Sequence, residues 1–274
     1  HSRANLLAVR AALDALTPER DGVDGAAITL YGEGWNFGEV ADNARFVQAS
    51  QGQLGGTSIA TFSDRLRDAV RGPAFDDPRT PGYGTGLAEV GEPEALGRAV
   101  DLVQLGLAGT LRGFGFTSAG TGRPVLGVEL GYAGQPAGYA DQPDEVISYV
   151  DAHDNETLFD ALTLKLPRAT PMPVRVRLNA LCLACATLGQ SPVMWHAGTD
   201  ILRSKSLDRN SYRSGDWFNY LDFSMTDNGF AAGLPPEADN GPAWPLLAPL
   251  LADPALKPAP DDIRTAHALA LDLL

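Results

Sequence analysis

VISYVDAHDN, residues 146–155, is the stretch that decides the fold. It begins as a short apolar run and ends in polar and ionisable residues. An apolar run of this length is typical of a buried strand in a parallel sheet. In a (β/α)₈ barrel, the polar residues at the carboxyl ends of such strands carry the chemistry. We therefore interpret 146–155 as a buried strand that ends at a functional site.

Two other segments have the same form, and helical patterns lie between them. Residues 26–34 and 192–198 are apolar runs that also end in polar residues, and helical periodicity is found in residues 2–17, 93–106, 173–188 and 261–274. Alternating strands and helices favour an α/β fold with a parallel sheet and crossover helices. The polar residues at the three strand ends are Glu33, His153, Asp154, Asn155, His196 and Asp200. This layout predicts part of a (β/α)₈ barrel.

Long stretches without periodicity separate these elements. They are residues 40–91, 115–145 and 199–260, and they hold much of the glycine and proline. Loops of this length are uncommon in a compact domain unless they build a binding site. We predict irregular loops here, some of which face a ligand.

The overall charge limits the class of partner. The chain has 274 residues, 44% of them hydrophobic, with a formal net charge of −13 and a pI near 4.6. An acidic protein of this kind lacks the cationic surface that nucleic acids or anionic membranes require. No stretch approaches the roughly 20 apolar residues of a membrane span. A neutral or cationic ligand is therefore expected, with no nucleic acid or membrane partner.

The two cysteines, Cys182 and Cys185, form a CxxC inside the apolar run LNALCLACATLG. A redox or metal motif needs activated thiols or two further ligands, and neither is visible in the sequence. We predict two buried thiols in the core of a helix.

Glu33 lies in YGEGWNFGE between two glycines and is followed by Trp35 and Phe37. A carboxylate enclosed by aromatic rings can stay protonated near neutrality, as a general acid requires, and the rings offer flat faces to sugars. A strand end followed by a glycine turn explains the same residues equally well. The local sequence leaves both interpretations open.

His153 and Asp154 offer an imidazole and a carboxylate at one strand end. Such a pair can bind sugar hydroxyls and stabilise an oxocarbenium charge. Two other interpretations remain: Asp154 or Asn155 caps a following helix, or His153, Asp154 and His196 bind a metal.

Residues 202–219 mix basic, acidic and aromatic side chains. They are not a calcium loop of the EF-hand type, because counting from Asp208 places Arg213 where that loop needs glycine. A substrate-facing loop and a solvated surface loop both remain possible.

Five strings together resemble a known family. In chain order they are LYGEGWNFGEV, SQGQLGGTSIATFSDRLRDAVRG, YVDAHDNETLFD, HAGTDILRSKS and RNSYRSGDWFN. They are similar to the debranching enzymes of the α-amylase superfamily, above all to limit dextrinases and bacterial pullulanases, and the resemblance extends over nearly the whole chain. It implies that residues 1–274 are the C-terminal portion of a catalytic barrel, about strands five to eight, without the N-terminal strands.

The resemblance also implies a reaction and a set of site residues. The reaction is hydrolysis of α-1,6 linkages in pullulan, amylopectin or limit dextrins with retention, with Glu33 as acid/base and Asp154 as the carboxylate that stabilises the transition state. His153 is expected to contact the sugar on the non-reducing side of the cleaved bond. The other expected substrate contacts are Trp35, Phe37, Phe75, Asn155, Arg203 and Asp216. No cofactor is required, a structural calcium is compatible with the family, and secreted, plastid and cytoplasmic relatives all fit.

Two departures from the family qualify this expectation. Where the family has an acidic pair after HAG, this chain has Thr199 and Asp200. The family's nucleophilic aspartate belongs to a motif that ends in a histidine resembling His1, so we expect that aspartate upstream of His1. We therefore predict that the 274 residues alone are inactive. A barrel relative that binds α-glucan without cleaving it is the alternative.

Overall fold

The computed structural model describes residues 1–74 and 77–274. Phe75, one of the expected substrate contacts, lies outside the described residues. The strands are β1 (Leu30–Gly32), β2 (Ile59–Phe62), β3 (Gly115–Thr117), β4 (Pro124–Leu126), β5 (Gly131–Tyr132), β6 (Gln135–Pro136) and β7 (Val146–Ile147). The helices are α1 (Arg3–Asp14), α2 (Pro18–Asp21), α3 (Asp64–Arg71), α4 (Leu87–Val90), α5 (Pro93–Leu107), α6 (Leu158–Lys165), α7 (Met172–Thr187), α8 (Asp216–Asn219), α9 (Glu237–Asn240), α10 (Trp244–Leu251) and α11 (Pro260–Leu271).

A parallel sheet of order β1-β2-β7 positions the site. Leu30 pairs with Ile59, and Thr61 pairs with Val146. An isolated parallel bridge from Ser148 to Val193 continues the sheet by one more segment. The expected mixture of helices and parallel strands is therefore present. Within the described residues the sheet is open rather than a closed barrel.

The predicted helices are found close to their predicted bounds, whereas the predicted strands are shorter. The segment 26–34 begins inside a 3₁₀ turn, Gly25–Ala27, and only Leu30–Gly32 of it forms a strand, β1. Residues 192–198 form only the bridge at Val193, so the strand predicted there is wrong in length.

The prediction of irregular structure was wrong for much of the chain. Residues 40–91 contain β2 and α3, and residues 115–145 contain two antiparallel pairs, β3-β4 and β5-β6. Residues 199–260 contain α8, α9 and α10. These elements are mostly four residues or fewer, too short for periodicity to reveal them.

Among the described residues, two large apolar clusters form most of the core around the sheet. The first lies where α3, α5 and α7 meet α6 and includes Leu66, Leu105 and Leu162. Cys182 and Cys185 belong to this cluster, and burial raises the pKa of both thiols, that of Cys185 to about 11. The prediction of buried core thiols is confirmed. The second cluster lies beneath α7, α10 and α11.

No helix in the described ranges, 1–74 and 77–274, is long and apolar enough to cross a membrane.

Candidate functional site

A cavity of about 610 Å³ lies at the carboxyl ends of β1, β2 and β7. A site at these ends is expected for a parallel α/β sheet. The structure brings six of the expected site residues into its lining, from two distant parts of the chain. They are Glu33, Trp35, Phe37, His153, Asp154 and Asn155.

Glu33 directly follows β1, and the backbone around it is held by the next loop. Gly34 has φ +71°, and its carbonyl accepts a hydrogen bond from the amide of Gln51 at 2.9 Å. The carbonyl of Trp35 accepts one from Gln48 Nε2 at 2.9 Å. Glu33 and Phe37 are nevertheless exposed, so the aromatic rings flank the carboxylate without enclosing it.

His153 and Asp154 project into the cavity from the loop after β7. Their side chains are 68% and 53% exposed, and His153 Nε2 lies 3.5 Å from Asp154 Oδ1. Thr157 is the residue that caps α6, because its Oγ1 accepts a hydrogen bond from the amide of Asp160. The capping interpretation of Asp154 and Asn155 is therefore wrong, and Asp154 is free to face a ligand.

Asn155 differs from its two neighbours. It is 6% exposed and has φ +62°, a left-handed conformation that is uncommon for residues other than glycine, although asparagine tolerates it best. Such conformations concentrate at functional sites, where the surrounding structure stabilises them. This turn at Asn155 separates the exposed His153–Asp154 pair from the buried start of α6.

Arg203 was expected to contact substrate, but it is 8% exposed and does not line the cavity. Its guanidinium donates to the carbonyl of Ala197 and to Asn219, and Nη1 lies 3.0 Å from His196 Nε2. His196 Nδ1 lies 3.4 Å from Asp151 Oδ2. Both ring nitrogens of His196 are therefore occupied within the protein. That occupation disfavours the metal interpretation, and among the described residues no group of three metal-ligating side chains occurs.

The two interpretations of residues 202–219 are both incomplete. Residues 202–208 are buried throughout, so this part is not a solvated loop. Asp216 and the 71% exposed Trp217 line a different cavity, of about 530 Å³. The structure therefore does not bring Asp216 together with Glu33 and Asp154.

Sequence reasoning missed a set of residues contributed by β2, α3 and the strand ends. Arg67 Nη1 donates to the hydroxyl of Tyr149 at 2.9 Å, and burial raises the pKa of that hydroxyl to about 12. Asp64 adds a carboxylate, held by Gln51 Nε2 at 3.1 Å. The sequence SDRLRD does contain a signal for the start of a helix, because Ser63 caps α3 directly after an apolar run. The missed lining residues are Tyr31, Phe62, Asp64, Arg67, Tyr149, Ala152 and Met194.

Comparisons with known proteins agree with this geometry. The family described as "Alpha-1,6-glucosidases, pullulanase-type, C-terminal" matches residues 225–274. The chain is 45% identical to "Pullulanase 1, chloroplastic" of Arabidopsis thaliana over 99% of its length and 39% identical to the pullulanase of Klebsiella aerogenes over 90%. The chain belongs to the pullulanase family.

Solved pullulanases have the same fold in this region. The whole chain superposes on PulA from Klebsiella pneumoniae in its maltotriose complex, with a TM-score of 0.90 and 36% sequence identity. The chain covers 29% of that protein, 29% of the Arabidopsis pullulanase and 22% of the Klebsiella aerogenes pullulanase. It therefore corresponds to less than a third of a pullulanase, and this part holds the cavity with Glu33 and Asp154.

Proposed function

We propose that this chain supplies the acid/base and the transition-state-stabilising carboxylate of a pullulanase that hydrolyses α-1,6 linkages in branched α-glucans with retention. The observation that carries the proposal is that Glu33 and Asp154, far apart in sequence, line one cavity together with Trp35 and Phe37. Aromatic faces and carboxylates are the groups that bind and cleave sugars. Maltotriose, the ligand in the PulA complex, belongs to the same substrate class.

We further propose that the sheet is part of a (β/α)₈ barrel. In support, β1, β2, β7 and the bridge at Val193 are parallel, and they neighbour one another in the sheet in the order in which they occur along the chain. Helices α3, α4 and α5, with two short antiparallel strand pairs, lie between β2 and β7 in sequence, and α6 and α7 lie between β7 and Val193, as in β-α units. On this proposal the four segments are strands five to eight, and the remaining strands belong to another part of the polypeptide.

The two carboxylates have complementary roles in the proposed reaction. Glu33 donates a proton to the glycosidic oxygen as the bond breaks and later takes a proton from the attacking water. Asp154 stays ionised and stabilises the oxocarbenium-like transition state, while His153 beside it binds a hydroxyl of the same sugar. Retention also requires a carboxylate nucleophile, which we assign to an aspartate upstream of His1.

Substitution of Glu33 tests the proposal. In the complete enzyme, Glu33→Gln is expected to lower the rate of reducing-sugar release from pullulan about 10²–10⁴-fold, the usual contribution of a general acid/base. Glu39→Gln is a matched control, because Glu39 lies in the same loop and forms an exposed ion pair with Arg45. An undiminished rate in Glu33→Gln would remove Glu33 from the mechanism.

The isolated chain gives a second test. Residues 1–274 alone are expected to release no reducing sugar from pullulan, since the proposed nucleophile is elsewhere. Hydrolysis by this chain that is lost in Glu33→Gln would contradict the assignment of the nucleophile while leaving the acid/base role intact. Binding of maltotriose by a complete polypeptide that never cleaves pullulan would instead favour a glucan-binding function.

A further inference from the structure

Lys205 is a buried cation directly behind the candidate site. The residue is 1% exposed, and Nζ donates a hydrogen bond of 3.1 Å to the backbone carbonyl of His153. Within the described residues this carbonyl is the hydrogen-bond acceptor of the ammonium. Burying a charged group costs free energy unless the charge is compensated. The position of Lys205 therefore calls for an explanation beyond ordinary packing.

The backbone of Lys205 is held by α6, the helix that follows the loop carrying His153 and Asp154. Asp160, in the first turn of α6, accepts hydrogen bonds from the amide of Lys205 at 2.8 Å and from the hydroxyl of Ser204. Asp160 is completely buried, and burial raises its pKa to about 6. The short segment 204–205 is thus held against α6. The side chain of Lys205 therefore starts from a fixed backbone position, and its ammonium reaches the carbonyl of His153.

The loop that carries Asp154 is attached on both sides by buried cations. Lys205 binds the carbonyl of His153 on one side, and Arg71 Nη1 binds the carbonyl of Glu156 at 2.9 Å on the other. The His153 and Asp154 side chains between these two anchors are exposed to the cavity and make no such attachment of their own. The direction of Asp154 therefore depends on the backbone anchors.

We propose that Lys205 is a positioning residue of the pullulanase site, whose buried ammonium holds the His153 carbonyl and so aims the Asp154 carboxylate across the cavity from Glu33. This inference rests on the proposed function. Misplacement of a catalytic group by about 1 Å can cost about 10²-fold in rate, so an anchor one residue away from Asp154 is sufficient to control catalysis.

The charge of Lys205 is set by its surroundings. Burial, and after it the nearby charge of Arg203, lowers the pKa of Lys205 to about 8, although the carboxylates of Asp151, Asp160 and Asp208 oppose the shift. As pH rises through about 8 the ammonium becomes neutral, and its hydrogen bond to His153 loses the strength that a charged donor gives. Activity is then expected to fall.

The free energy of unfolding changes with pH in the direction opposite to activity. The unfolded chain keeps its lysine protonated up to the usual value of 10.5, so between about pH 8 and 10.5 it binds more protons than the folded chain. The contribution of Lys205 to the free energy of unfolding therefore increases over this window while kcat decreases. A residue with only a structural role would change the free energy of unfolding and leave kcat per folded enzyme unchanged.

The test compares variants of the complete enzyme with pullulan as substrate. Lys205→Met, which keeps the length and loses the donor, is expected to lower kcat about 10²-fold with little change in KM. Lys205→Arg, which keeps a charged donor at all accessible pH values, is expected to recover part of kcat and to lose the fall in activity near pH 8. Arg175→Met is a matched control, because Arg175 is also a 1% exposed cation bound to backbone carbonyls, but it lies in the first turn of α7, away from the loop of Asp154. It should lower the melting temperature with kcat per folded enzyme unchanged.

Each result decides the proposal. An unchanged kcat in Lys205→Met, or a kcat of the wild-type enzyme that stays level from pH 7 to 10, would overturn it while the proposed hydrolysis stands. The pH profile of the wild-type enzyme provides this test even when a variant fails to fold. A wild-type enzyme that never hydrolyses pullulan would overturn the proposed function together with the role of Lys205.

Discussion

Nη1 of Arg203 lies 3.0 Å from Nε2 of His196, which requires that this imidazole nitrogen accept rather than donate. The proton of the neutral ring is then on Nδ1, which faces Asp151 Oδ2 at 3.4 Å. The pairing links a buried arginine to the ends of two neighbouring segments of the sheet. It also explains why Arg203, which was expected to contact substrate, is buried.

Replacing Arg203 tests whether it supports the sheet or binds substrate. Arg203→Met is expected to lower the free energy of unfolding by about 1–3 kcal/mol, because His196 Nε2 and the Asn219 carbonyl lose their donor. KM for pullulan should change little. Urea unfolding and steady-state kinetics measure the two quantities, with the exposed Arg213→Met as control. A large rise in KM at unchanged stability would return Arg203 to the substrate-binding set.

Because Gly34 packs closely against β2, adding a single methyl group at this position is expected to lower the stability of the protein. A Cβ on Gly34 would lie 2.4 Å from Thr61 Cγ2, and φ +71° is strained for alanine. Gly34→Ala should cost about 1–3 kcal/mol through strain and overpacking and should displace the adjacent Glu33. Gly38 shares the positive φ but has open space around it, and Gly32 has open space without the positive φ.

These two glycines provide graded controls for Gly34. We expect thermal stability and pullulan hydrolysis to fall in the order Gly32→Ala, Gly38→Ala, Gly34→Ala, with activity lost mainly in the last. Equal effects of Gly34→Ala and Gly38→Ala would show that backbone strain alone matters and that Thr61 does not constrain the Glu33 loop.

The buried carboxyl of Asp160 predicts a pH dependence of stability. Burial raises its pKa from 3.8 to about 6, so the folded chain binds more protons than the unfolded chain between these values. Its stabilising contribution is complete below about pH 4 and is lost as pH rises through about 6, with a span on the order of 3 kcal/mol. The difference in unfolding free energy between wild type and Asp160→Asn, measured from pH 4 to 7, should follow this curve. A difference that is constant with pH would contradict the raised pKa.

The sequence predicted the helices well and the sheet only in part. Residues 93–106 and 173–188 have long periodic patterns, and both are helices within one residue of the expected bounds. β2 has only four residues inside a glycine-rich region, and its partners on both sides come from distant sequence. Pairing of this kind leaves no local pattern, so the central strand of the sheet was missed together with the cavity residues that follow it.

The candidate site was predicted unevenly for the same reason. Glu33, Trp35, Phe37, His153, Asp154 and Asn155 were found because each lies in a short string with distinctive residues, and the cavity contains all six. Asp64 and Arg67 lie in the string SQGQLGGTSIATFSDRLRDAVRG and Tyr149 opens YVDAHDNETLFD, but nothing in those strings marks these three residues as lining a cavity. Lys205 was noticed only as one basic residue in a polar loop, since burial and the contact with His153 are properties of the fold.

The sequence by itself determined the family, the helical segments and the two carboxylates, because these depend on residue identity and local spacing. Only the tertiary structure decided that Glu33 and Asp154 share a cavity, that Arg203 is buried against His196, and that Lys205 contacts the backbone of the loop that carries Asp154. These relationships join residues that are distant in the chain. Their energies depend on burial and on which polar groups meet away from water, and neither property can be derived from the neighbours of a residue in sequence.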